Sequence, residues 1–318
     1  MVLEAQRKGF KMYALTEHCP RWRVRDLYDE EVEAGMKPED LQEQFDSFLV
    51  EAHRLRDLHR MEILIGVESE HIYDEDLDLL KGLVERNQDK IDFVVGSVHH
   101  VNGYPIDFTR RKFNECLWSY AVGDNRGPMP SDGVEKELRE YDVSQEDYYN
   151  GLGKLLEEYF HAQRRMLEAL KPAVIGHFLL PFLFARPYSF DPSSPTNLTL
   201  HQFTNAKALA QSNIEYVVSY GGLIELSSAA LRKGFSFPWP GNEVVEMVIQ
   251  AGGKFCLSDD AHNVSQVAVR YRDLKDWAKE HGIRSDQVAR LTKRNNGKLE
   301  VVVDETADVW EDDFWKGL

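Results

Sequence analysis

Cysteine is scarce in this chain. Cys19, Cys116 and Cys256 are the three among 318 residues, and their wide spacing offers neither a disulfide framework nor a zinc knuckle. No apolar run approaches the roughly 20 residues that span a bilayer. The opening MVLEAQRKGFK lacks the basic-then-apolar order of a secretory signal. A cytoplasmic protein with no membrane partner is therefore expected. No GxGxxG or GxxxxGK[ST] run stands at a strand–helix junction, so dinucleotide-binding and P-loop readings lose their main support. Basic residues are outnumbered, with 38 Lys and Arg against 54 Asp and Glu and a formal net charge of −16. A surface of that sign repels a phosphate backbone, so nucleic acid is not expected as the main partner. Hydrophobic residues at 42% and aromatics at 11% still suffice for a globular core.

What is present is an alternation of short apolar runs with amphipathic helical stretches. KMYALTEH (11–18) reads as a strand. PEDLQEQFDSFLVEAHRLRDL reads as a helix opened by Pro38, with Leu41, Phe45, Phe48, Leu49, Ala52 and Leu55 at steps of three and four. The strands EILIGVESE, IDFVVGSVHH, PAVIGH, YGGLIELSS and KFCLSDDAH follow, separated by helical segments that include about 145–170 and 201–213. The stretch from about Thr109 to Val143 is rich in Gly, Pro, Asp and Ser and reads as an elaborated surface loop. VARLTKRNNGKLEVVV reads as a hairpin turning at Asn296-Gly297. The acidic tail at about 304–318 carries Trp310, Phe314 and Trp315, which can dock on the body. Strand–helix alternation of this kind predicts an α/β fold of parallel strands, as an open sheet or a closed barrel.

The strands end in a pattern. LTEH closes on His18, GVE on Glu68, SVHH on His99, IGH on His177, and SDDAH on Asp260 and His262. In a parallel barrel all strand C-termini open on one face, where active sites are assembled. Five strands would deliver imidazoles and carboxylates to one mouth, a donor set suited to zinc, manganese or iron. Single histidines elsewhere, such as His53, His59 and His161, fit solvated helix faces instead. Glu17 and Asp259 adjoin the candidate ligands, as outer-shell partners or as merely exposed residues, and His100 alternates away from His99 towards packing or a substrate.

TEHCPR, GVESE, VGSVHHVNGYPIDF, VIGHF, IELSSAALRKG and SDDAH, in this order, resemble the fungal-like histidinol-phosphatase branch of the polymerase-and-histidinol-phosphatase (PHP) superfamily. The resemblance runs from the N-terminus to about residue 270. It implies a distorted seven-stranded β/α barrel over a single domain, 1–318, with up to three divalent metal ions. It also implies hydrolysis of L-histidinol phosphate to L-histidinol and phosphate, in histidine biosynthesis, by a metal-activated hydroxide. Carried over by position, His18 resembles a ligand shared with His262, Glu68 the bridging carboxylate, and His99 and His177 the completion of the site that Glu68 serves. Asp260 would hold the remaining ion. Arg232 resembles the residue that grips the substrate phosphate, with Arg186 and His100 as further substrate contacts.

Two departures shape the expectations. Family members open with a strand bearing an HxH motif, whereas here Met1 falls inside the helix that follows it. The first strand and its ligands are thus expected to be absent, with fewer than three ions bound. The family also continues GHF with an aspartate and a nearby arginine. This chain reads GHFLLPFLFARP, an apolar insertion in which Arg186 takes the arginine's part. A non-catalytic barrel holding metal or a phosphorylated metabolite is the alternative reading, and a PHP phosphoesterase acting on nucleic acid a less favoured one.

Overall fold

A computed structural model of the chain describes residues 1–123, 126–130, 136–189, 198–294, 296–304 and 307–318. α1 (Val2–Arg7) leads into β1 (Met12–His18). α2 (Asp29–Glu33) and α3 (Pro38–Leu58) precede β2 (Glu62–Glu68), and α4 (Asp74–Arg86) precedes β3 (Phe93–Gly96). A small hairpin of β4 (His100–Val101) and β5 (Tyr104–Pro105) comes next, then α5 (Arg110–Ala121), α6 (Gln145–Leu170) and β6 (Val174–Ile175). α7 (Thr204–Tyr220), β7 (Leu223–Ser227), α8 (Ala229–Arg232), α9 (Asn242–Gln250), β8 (Lys254–Ser258) and α10 (Tyr271–Glu280) follow. The antiparallel pair β9 (Arg290–Lys293) and β10 (Leu299–Val302) lies near the C-terminus.

Six strands pair in parallel in the order β1-β2-β3-β6-β7-β8, curled into the half-barrel of a distorted β/α barrel. Among the described residues β1 pairs only with β2, and β8 only with β7. The helical crossovers cover the outer face, so β2 is buried on both sides and reads as the unbroken apolar run ILIGV. Its Ile63, Ile65 and Val67 join the core that holds Phe45, Leu49 and Leu80 of α3 and α4. Leu64 points the other way, into a second cluster with Phe93, Val174, Leu223, Ala289 and Leu291. The period of two along a strand separates these two sets.

Ala289 and Leu291 bring the β9–β10 hairpin to the end of the sheet where the strands begin. Ala289 N–H donates to the Phe255 carbonyl at 2.8 Å. The Glu62 carboxylate accepts from Thr292 Oγ1 at 2.6 Å and Lys293 N–H at 3.1 Å. Gly297, with φ +80°, occupies the turn expected there. The tail packs back on the body: Trp310 and Trp315 are buried, and Trp310 Nε1 donates to the Ile283 carbonyl at 2.9 Å. No described helix is long and apolar enough to cross a membrane.

The segment from about 109 to 143 is not simply a loop. Its first part is α5, capped by Thr109 Oγ1, which accepts from Lys112 N–H at 3.1 Å. Phe113, Cys116, Leu117 and Trp118 are buried on that helix, which packs against α6. The loop-forming residues that suggested otherwise are concentrated after Val122, and 124–125 and 131–135 lie outside the described residues. The apolar insertion after His177 is likewise core, since Phe178, Leu179, Leu180 and Phe182 are all buried. Tyr159 Oη donates to the Phe178 carbonyl at 2.9 Å, fixing the insertion to α6.

Asp92 ties three distant segments together. Its side chain is 1% exposed. It accepts from Ile65 N–H at 2.8 Å and Lys293 Nζ at 2.7 Å, and pairs with Arg56. Removing it strands a backbone donor and two cations, so Asp92→Ala is expected to lower unfolding stability by about 2–4 kcal/mol. Urea denaturation measures this. A loss under about 0.5 kcal/mol would mean that apolar contacts alone hold the hairpin.

Candidate metal centre

In-register pairing sets the geometry. His18 lies opposite Glu68 across β1 and β2, and Glu68 lies opposite Val95 across β2 and β3. The C-terminal strand ends therefore lie level, and the residues just beyond them meet. Glu68 Oε1 is 3.0 Å from His177 Nε2, 3.3 Å from His99 Nε2 and 2.6 Å from Ser97 Oγ, which donates to it. The ring centres of His18 and His99 are 5.2 Å apart, and those of His99 and His177 are 4.9 Å apart. His177 sits at φ +22° and Asp260 at φ +46°, in a region that non-glycine residues rarely occupy. Glu225 helps to hold the first of these, accepting from His177 N–H at 2.6 Å.

Two groups among the described residues have the spacing to hold a cation: Glu68, His99 and His177, and His18, Glu70 and His99. Four of these five residues are the strand-end residues that the sequence singles out. Glu70 is additional. It is buried on the turn after β2, with Oε1 3.0 Å from His18 Nδ1 and 2.8 Å from Arg21 Nη1. The second acid of GVESE, two residues after Glu68, is its sequence signal. Ser97 and Asp107 also join the site without ending a strand. Asp107 Oδ2 lies 3.0 Å from His99 Nδ1, and the Asn-Gly turn that folds the chain back to it was the available clue.

Opposite charges dominate this end of the barrel. Burial disfavours the charged ring of His18, but the adjoining Glu70 carboxylate prevails and pushes its pKa up to about 9. His99 is likewise disfavoured by burial, yet the Asp107 and Glu68 carboxylates hold it well above the usual histidine range. Burial would raise Glu68, but the facing rings of His177 and His99 keep it well below the ordinary carboxylate value. For His100 burial outweighs the Glu70 carboxylate and pushes its pKa down to about 4.

The donors suit a divalent ion. Imidazole nitrogens and carboxylate oxygens converge, and buried His99 Nε2 has no hydrogen-bond partner although it faces Glu68. His18 Nδ1 is within 3.0 Å of Glu70 yet is also unbonded, because the two are out of alignment. Atoms that approach closely without hydrogen-bond geometry are what a shared cation requires.

The remaining sequence candidates lie around this core. Asp260 and His262 line the same cavity as His18, Glu68 and His177, a space of about 680 Å³. Neither belongs to the two cation-spaced groups. His18 and His262 line one cavity but do not fall in a common cation-spaced group among the described residues. His262 Nδ1 faces the Asp260 carbonyl at 3.0 Å instead. Arg232 donates from Nη1 to the Asp259 carbonyl at 2.6 Å and from Nη2 to the Asp260 carbonyl at 2.8 Å, clasping the strained turn. Asp259 accepts from Tyr13 Oη at 3.2 Å and Ala268 N–H at 2.7 Å, a structural task. Arg186 lies on the insertion, where its carbonyl accepts from Tyr148 Oη at 2.6 Å. His100 is buried, with its ring parallel to Tyr28 at 6.1 Å.

Residues 1–229 match the family model described as the PHP domain. The chain belongs to the PHP family. Over 316 residues it is 36% identical to a probable histidinol-phosphatase of Schizosaccharomyces pombe, covering 98% of this chain and 89% of that one. It is 31% identical over 292 residues to the histidinol-phosphatase of Saccharomyces cerevisiae, covering 85% and 79%. A solved Listeria monocytogenes protein assigned as a histidinol phosphatase superposes with a TM-score of 0.60 at 18% identity, covering 86% of this chain and 92% of that one. That likeness is one of fold.

Gly176 shows how tightly this PHP chain packs behind Glu68 and His177. A Cβ there would lie 2.6 Å from Ser97 Oγ and 3.1 Å from Val95 Cγ1. Gly176→Ala is expected to push Ser97 off Glu68 and cost about 1–3 kcal/mol of stability by overpacking. In a Ser97→Ala background the cost should shrink, because the nearest atom is gone. Equal costs in the two backgrounds, measured by urea unfolding, would show that Ser97 is not the strained partner.

Proposed function

We infer that this chain hydrolyses L-histidinol phosphate to L-histidinol and inorganic phosphate, as a phosphoric-monoester hydrolase of histidine biosynthesis. The observation that carries the reading is the cluster of Glu68, His99 and His177 at the C-terminal end of a PHP barrel. The near full-length similarity to two histidinol-phosphatases supports it.

The residues fit a divalent ion of the zinc, manganese or iron type. Glu68, His99 and His177 would hold one ion, and His18 with Glu70 and His99 would attract a second. Asp260 and His262 are assigned to the same mouth as ligands reached from β8. A bound divalent ion supplies positive charge that acidifies water and neutralises phosphoryl oxygens. The protein's own part is to keep these side chains fixed. Ser97 holds Glu68 by a 2.6 Å hydrogen bond, and the Glu225 carboxylate holds the backbone of His177. Arg232 keeps Asp260 in place through two carbonyls. Each of its terminal nitrogens carries a second N–H, and we assign these to the substrate phosphate.

Two measurements test this. Chelator-treated protein is expected to lose phosphate release from histidinol phosphate and to regain it on adding zinc or manganese. Retained activity after complete ion removal would sink the reading. Arg232→Ala is expected to cost roughly 2–3 kcal/mol in kcat/KM, as for a charge-assisted contact. Unchanged kinetics would leave Arg232 with its structural role alone.

A further inference from the structure

The hairpin that follows His99 brings a carboxylate onto the unused side of that ring. We propose that Asp107 is a positioning residue that orients His99 for metal coordination, and that the β4–β5 hairpin serves to deliver it. The proposal rests on the metal reading given above.

The path of the chain makes the delivery specific. After β3 it continues outward through His100 and Val101 and reverses at Asn102 (φ +52°) and Gly103 (φ +76°). Two consecutive positive φ values define the mirror-image turn that fits a tight hairpin, and Asn-Gly is its favoured sequence. The returning strand pairs Tyr104 with Val101 and Pro105 with His100. Ile106 N–H then donates to the His99 carbonyl at 2.9 Å, so residue 107 emerges beside the ring of His99. Gly103 also lies close to α4's entry, where an added Cβ would meet Tyr73 Oη at 3.0 Å. A longer or differently shaped turn would carry Asp107 elsewhere.

Imidazole has two nitrogens, and a ligand histidine must expose the correct one. Asp107 Oδ2 accepts from Nδ1 at 3.0 Å, which keeps a proton there and makes Nε2 the nitrogen that gives up its proton to a metal ion. Nε2 is the buried atom without a hydrogen-bond partner, 3.3 Å from Glu68 Oε1. His99 is the histidine common to both cation-spaced groups, so its orientation bears on each, while Asp107 itself belongs to neither. A carboxylate on the far nitrogen of a ligand histidine locks the ring and raises its basicity.

Zinc affinity, measured by chelator competition on the full chain, tests the role. It is expected to fall roughly 10–100-fold in Asp107→Ala. The loss should be smaller in Asp107→Asn, whose amide oxygen still accepts from Nδ1–H. In a His99→Ala background, Asp107→Ala should weaken binding no further, because Asp107 acts through that ring. Cobalt-loaded Asp107→Ala should also show a changed visible absorption. Unchanged zinc affinity in Asp107→Ala, or fully additive losses in the double variant, would overturn the role while leaving the metal reading intact. Absence of zinc binding by the unsubstituted chain would overturn both. If Asp107→Ala does not fold, the near-isosteric Asp107→Asn decides, with unchanged affinity and unchanged cobalt absorption counting against the role.

Discussion

The upper end of the barrel is organised around a carboxylate that has little access to water. Glu68 has a side chain only 14% exposed, and an isolated buried anion is costly unless paired and hydrogen-bonded. Its compensation comes from three different strands: His18 across the β1 pairing, Ser97 and His99 just beyond β3, and His177 just beyond β6. The neighbouring rings repel one another when protonated, so the same carboxylate lets the histidines crowd together. A divalent ion placed among these groups would answer the carboxylate's charge without adding protons to the rings. The arrangement is therefore poised between two ways of balancing one negative charge.

Chemistry and packing divide along the length of the same strands. On the inward face of β2 the order is Leu64, Gly66, Glu68: an apolar contact, a gap, then the carboxylate. The gap is needed, because a Cβ on Gly66 would come within 2.8 Å of the Phe93 ring and 2.9 Å of Thr16 Cγ2. Phe93 thus packs against β2 in the middle of the barrel, and one cavity runs past it from His18 and Glu68 at the mouth to Leu64 and Leu291 at the apolar end. One alternation pattern supplies both the core and the site.

The sequence reveals the features tied to periodicity. His18 and Glu68 end strands, His99 and His177 lie just beyond them, and their convergence follows once those strands are parallel and in register. Glu70 and Asp107 do not end strands. One sits on a turn and the other returns through a hairpin, so their positions depend on backbone reversals that a linear pattern does not encode. α5 was obscured for a related reason: the loop-forming composition of residues beyond Val122 masked the apolar face of Phe113, Cys116 and Leu117. Asp260 and His262 lie beyond the end of β8, where a positive φ at Asp260 turns the chain. Strand order alone does not say where such a turn points the next two side chains.

The Asp92 junction bears on how the molecule is made. Its partner Lys293 lies 201 positions further along the chain. At roughly 5–20 residues per second, a ribosome takes about 10–40 s to supply that partner. For that interval Leu64, Phe93, Val174 and Leu223 have no hairpin over them as each is synthesised, and Asp92 has Arg56 and the Ile65 amide alone. The end of the barrel remote from the chemistry is therefore the last to close. A nascent chain halted before β9 would present an uncovered apolar floor to the chaperones around it.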